Sequence, residues 1–139
     1  MKNLVTFLIL GLFGPLTLFG QITLTVEVEQ LRNNKGKLLL ELSDDKEKVL
    51  QGFSETIANN KSVVVITDLK PGKYAFKYFH DENNDEKLNT NFMGIPKEGY
   101  GFSNNAKGSF GPPSFDKMVF EISQSKTMKC SASYILNQK

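Results

Sequence analysis

The chain of 139 residues sets 17 Lys and Arg against 15 Asp and Glu for a net charge of +2, and its length suits one domain. Arg32 is its single arginine, and without basic groups clustered on one face nucleic-acid binding is excluded. One cysteine, Cys130, and one histidine, His80, exclude an internal disulfide and a Cys/His zinc centre, so the hydrophobic core must hold the fold unaided.

Lys2 precedes an apolar run over residues 4–19 whose only polar members are Thr6 and Thr17. The run is shorter than the ~20 residues of a membrane-spanning helix, and Pro15 sits inside it. A lysine, a short apolar stretch and a small residue at its end make a secretory signal peptide, with cleavage after Gly20. The expected organisation is a leader over residues 1–20 and a single domain over 21–139. Such a chain is exported, to the periplasm or outside the cell, and its mature form has no membrane span. No Cys lies near the cut to carry a lipid.

Beyond the leader the apolar period is two. Ile22, Leu24, Val26 and Val28 alternate with Thr and Glu, as in a half-buried strand. Asn33, Asn34, Lys35 and Gly36 form a turn cluster, and Leu38, Leu40 and Leu42 begin a second strand, so the two runs read as a β-hairpin. Residues 44–53 are charged and read as one helical turn or a loop. Residues 63–66 are continuously apolar and β-branched, as expected of a strand covered on both faces. Pro71 and Gly72 mark a turn, with Gly72 in the left-handed position. In the strand that follows, Tyr74, Phe76 and Tyr78 share a face, and Ala75 and Phe79 take the other. Met118, Phe120 and Ile122 alternate, as do Met128, Cys130, Ala132, Tyr134 and Leu136, with Cys130 facing inward. Short strands separated by turns imply an all-β antiparallel sandwich.

Residues 81–115 sustain no period. Structureless loops beyond about 12–15 residues are uncommon and often functional. Phe92, Tyr100, Phe102, Phe110 and Phe115 are expected to anchor this loop to the sandwich. With Lys97, the first four also offer a ligand surface, on which aromatic rings could stack against sugars. The loop opens with side-chain oxygens at Asp81, Asn83, Asp85 and Asn89, and with a backbone carbonyl at Lys87 between them. Calcium takes six to eight hard oxygens, and these residues fall on positions 1, 3, 5, 7 and 9 of a calcium loop. Glu86 stands where such loops need Gly, Phe92 where a bidentate Glu closes the shell, and Glu98 is the remaining candidate to reach back. The competing reading is an Asx-rich turn whose side chains bond their own backbone. His80, Asp81 and Glu98 also suggest a small hydrolase, but adjacent strand residues point to opposite faces and no nucleophile-elbow glycines surround any Ser.

The segments Leu69-Lys-Pro-Gly-Lys-Tyr-Ala-Phe-Lys-Tyr-Phe-His80-Asp81, Asn91-Phe-Met-Gly-Ile-Pro-Lys-Glu-Gly-Tyr-Gly-Phe-Ser-Asn-Asn105 and Phe110-Gly-Pro-Pro-Ser-Phe115 resemble the bacterial family called domain of unknown function 2141. The resemblance implies an exported protein of unassigned function and brings no catalytic residues. The Pro-Gly-x-Tyr turn is similar to that of transthyretin (prealbumin-like) and carboxypeptidase-regulatory-like sandwiches, which implies a Greek key of about seven strands with one long loop. Relatives often place Gly where Glu86 stands. The expected function is a non-enzymatic exported module with a cell-envelope protein or glycan as partner; a small hydrolase and a carbohydrate-binding module are the alternatives.

Overall fold

The computed structural model describes residues 20–136; the leader expected over residues 1–20 lies outside them but for Gly20. The described residues form the expected all-β sandwich. A three-stranded sheet has the order β4 (Ser62–Leu69), β1 (Ile22–Glu29), β8 (Lys126–Ser131). Facing it, a second sheet runs β3 (Val49–Glu55), β2 (Lys37–Asp44), β5 (Gly72–Asp81), β6 (Tyr100–Phe102), with β7 (Phe120–Ile122) also on β5. A 3₁₀ turn over Ser103–Asn105 and a single helical turn, α1 (Phe115–Met118), complete the elements.

Alternation explains the core. Ile22, Leu24, Val26 and Val28 from β1 meet Leu38, Leu40 and Leu42 from β2, with Phe76, Tyr78, Phe120, Ile122 and Cys130 between and below. Each large apolar side chain removed from water contributes about 1.5–3 kcal/mol. The chain supplies enough of them without a disulfide.

Several expectations are corrected. Strands β1 and β2 are not a hairpin: β1 pairs with β4 and β8, and β2 pairs with β3 and β5. Alternation shows that each strand buries one face; it does not say in which sheet. The connection crosses between sheets, with Gln30 at φ 60 and Leu31 buried, its N–H donating to Asn60 O at 3.0 Å. The β2–β3 hairpin is thus flanked by β1 and β4, which pair in the opposite sheet, a Greek-key connection. Residues 44–53 hold no helical turn. Asp44 Oδ1 accepts the N–H groups of Lys46 and Lys48, both at 2.9 Å, and closes the turn into β3. This strand shows no burial pattern because it is an edge strand. Within residues 63–66 only Val64 and Ile66 are buried; Val63 and Val65 are 47% and 52% exposed. The positive φ near the following turn belongs to Asp68, at 61°, and not to Gly72. One pair, β1 with β8, is parallel, so the sandwich is not wholly antiparallel.

Candidate functional site

Side chains on β2, β5 and β6 that do not enter the core face outward. In register they make two rows across the sheet: Ser54, Leu39, Phe79, Tyr100, and beside it Gly52, Glu41, Lys77, Phe102. On the solvent face of an antiparallel sheet these positions are ordinarily polar. Here Leu39, Phe79, Tyr100 and Phe102 form an apolar groove of about 620 Å³, with Leu88 from the acidic loop at its border. Tyr100 and Phe102 lie edge to face, with centroids 6.0 Å apart. Lys77 Nζ pairs with Glu41 at 2.9 Å within the groove. At Gly52 an added Cβ would meet nothing within 4 Å, so the rim over β3 is open.

Tyr100 and Phe102 also border a narrower cleft of about 130 Å³, whose other side is built by Gly108, Gly111 and Pro113. Phe110 lies on that loop and is fully exposed; Phe92, on the preceding loop, is 96% exposed. Neither ring is the anchor expected of it, whereas Phe115 is half-buried. Polar side chains fasten the loop instead. Ser103 Oγ donates to Met118 O at 2.6 Å and accepts from Phe76 N at 3.0 Å. Asn104 Nδ2 donates to the carbonyls of Lys117, Met118 and Val119, and Asn105 Oδ1 accepts from Ser131 N at 3.0 Å.

The acidic loop leaves β5 at Asp81, which is 1% exposed. Its Oδ1 accepts from Asp85 N at 3.1 Å and its Oδ2 from Glu86 N at 2.9 Å. Asp85 in turn accepts from Lys87 N and from the amides of Asn83 and Asn89; these bonds, Asn89's first, hold its carboxyl below the ordinary value. Glu98, 3% exposed, spans the mouth of the loop. Its two oxygens accept from Glu82 N and Asn89 N, each at 3.0 Å. Asn84 and Glu86 adopt left-handed φ values of 57° and 60°. The donors suit calcium in kind, being hard oxygens. Yet among the described residues no three His, Cys, Asp or Glu side chains are grouped to hold a metal ion.

The bacterial family model DUF2141, described as "uncharacterized protein conserved in bacteria", matches residues 26–130. The chain belongs to the DUF2141 family. Curated proteins give no match to it. Among solved structures it is similar to the tip fimbrial protein Mfa3 from Porphyromonas gingivalis with C-terminal truncation, at 11% identity and a TM-score of 0.43. That similarity covers 84% of this chain and 49% of the fimbrial one, so the chain spans about half of that protein's length.

In this DUF2141 chain His80, Tyr134, Arg32 and Glu82 form a network of their own. His80 is wholly buried, with Nε2 2.7 Å from Lys35 O and Nδ1 2.8 Å from the Tyr134 hydroxyl. A carbonyl only accepts, so Nε2–H donates to Lys35 O. Arg32 grips Glu82 with two nitrogens, the Nε bond being 2.6 Å, and also donates to Lys97 O and Leu136 O. This fork holds the Glu82 carboxyl below its ordinary value and lifts the guanidinium's. His80, Asp81 and Glu98 are therefore near in sequence or space without forming a catalytic relay. The alternative hydrolase site is not assembled from them. Lys97 borders a polar hollow with Arg32, Asn33 and Lys35, apart from the aromatic groove. Of the expected ligand-surface residues, Tyr100 and Phe102 share the groove, Phe110 lies on the loop across the narrower cleft, and Phe92 and Lys97 lie elsewhere. Leu39 and Phe79 were missing from that set. Their outward phase between core-facing residues was the available signal.

Proposed function

We propose that this DUF2141 chain is an exported, non-catalytic binding module of the cell envelope, with its ligand seat on the outer face of the five-stranded sheet. The observation that carries the reading is the apolar patch of Leu39, Phe79, Tyr100 and Phe102, from two adjacent rows on the solvent side of the sheet. All four are half-buried, and a contiguous apolar patch on the solvent side of a sheet marks a binding site. Export rests on Lys2 and the apolar run behind it, and no helix among the described residues is long and apolar enough to cross a membrane. The partner is a protein or glycan of the envelope. A catalytic role finds no support in His80, Asp81 or Glu98, whose polar atoms serve structural partners. The test is titration with the neutral dye Nile red. Saturable fluorescence that disappears in Phe79→Ala/Phe102→Ala, with the fold intact by circular dichroism, supports the groove. Unchanged dye binding in that variant removes it.

A second reading attaches to the acidic loop. Calcium, bound through Asp81, Asn83, Asp85 and the Lys87 carbonyl, with Asn89 or Glu98 nearby, would order it further. The favouring observation is Glu86: it takes the left-handed conformation that a calcium loop demands at its sixth position although it is not Gly. Affinity would be weak, in the ~10⁻⁴–10⁻³ M range of extracellular modules. A melting temperature unmoved by saturating calcium ends this reading.

A further inference from the structure

We infer that the groove takes a neutral glycan, with a sugar ring laid against Tyr100 and Phe102; this rests on the groove being the binding face. The floor is both apolar and open. The face of an aromatic ring carries partial negative charge and attracts the partially positive C–H groups on one side of a pyranose. A groove of about 620 Å³ also lies within the ~300–1,000 Å³ of small-ligand sites.

The Glu41–Lys77 pair narrows the choice further. It sits in register between Gly52 and Phe102, its side chains 37% and 61% exposed. An acyl chain laid over it would strip water from two charges and return no hydrogen bond. Sugar hydroxyls both donate and accept, so they can bond the carboxylate and the ammonium alike. An extended peptide would instead hold its own N–H and C=O groups over an apolar floor. Charge decides between glycans. Glu41 and Glu86 border the groove against Lys77, a negative balance that disfavours uronic or sialic residues. The open rim at Gly52 lets a polymer run out past β3, so internal sugars of a chain fit as well as its ends.

The test is calorimetric titration of the chain from Gln21 onward, which contains all eight strands. The titrants are soluble oligomers of glucose, mannose and N-acetylglucosamine, then an oligouronate and a fatty alcohol. Saturable binding of at least one neutral oligomer is expected, weakened about tenfold by Phe102→Ala or Tyr100→Ala through loss of a stacking face. Gly52→Phe, which adds its side chain into open space, should weaken it without touching the core. Sugar binding that survives all three substitutions overturns the inference, and so does preference for the oligouronate or the alcohol. If no sugar binds while Nile red still seats in the groove, the glycan is wrong and the binding face stands. If neither binds, both readings fall.

Discussion

Glu98 offers the most direct check on how the loop beside the groove is held. In Glu98→Ala both oxygens disappear, and the N–H groups of Glu82 and Asn89 lose their acceptors. An unsatisfied buried donor costs about 1–3 kcal/mol. Both parent residues are half-buried, so water reaches them in part and the lower end applies to each, or about 2–3 kcal/mol together. Glu98→Gln keeps one accepting oxygen and should lose roughly half as much. Urea unfolding of the wild type and both variants gives the two values. Amide hydrogen exchange adds a local reading, with Glu82 and Asn89 losing protection before the strands do. A Glu98→Ala loss below about 0.5 kcal/mol, the ordinary range of a surface change, would refute the clasp.

Tyr78 is 3% exposed and its hydroxyl is the one buried side-chain polar atom among the described residues without a partner. Tyr78→Phe is therefore expected to leave stability unchanged or raise it by about 1 kcal/mol; a loss of that size in urea unfolding would reveal a partner. Gly101→Ala should destabilise by about 1–3 kcal/mol in urea unfolding, because the new Cβ would collide with the Tyr78 hydroxyl and ring. Glu86→Gly removes a side chain from φ 60° and should stabilise by up to about 1 kcal/mol, after the unfolded chain's added freedom is subtracted; a lower melting temperature would contradict it. Glu82 has a lowered pKa, chiefly through Arg32. Its contribution is present above the ordinary value of 4.5 and is lost as pH falls through the lower folded value. Arg32→Met should flatten that acid limb of a stability–pH curve, and an unchanged slope would show that the pair does not carry it.

Strands with one buried face were legible because alternation is imposed by the pleat itself: β1, β2 and β5 are written in Ile22 to Val28, Leu38 to Leu42 and Tyr74 to Tyr78. The family was legible too, through long motifs around Pro71 and Gly94. Strand β3 was hidden because an edge strand shields little, leaving no period to read. Three residues of β6 are too few to show one. Sheet membership was hidden for another reason. Which sheet a strand joins depends on how the chain between Gln30 and Gly36 crosses, and positive φ at Gln30 has no compositional mark. The aromatic residues of the long loop are divided in space. Tyr100 and Phe102 are in the groove, but Leu39 and Phe79 complete it from strands paired only in the folded state. The loop's fastening by Ser103, Asn104, Asn105 and Glu98 depends on partners far along the chain. Residue type alone does not name them.

The parallel pairing of β1 with β8 sets Leu24 beside Lys126, and Thr23 N–H reaches Ser125 Oγ across 102 residues. A growing chain thus releases its first strand long before the neighbour that completes its ladder exists. Closing so long a span costs entropy that no nearby contact repays, which makes this high-contact-order step slow. Until then Val26 and Val28 lie on an unfinished border open to other chains. Such delay leaves this first strand within reach of a holding chaperone.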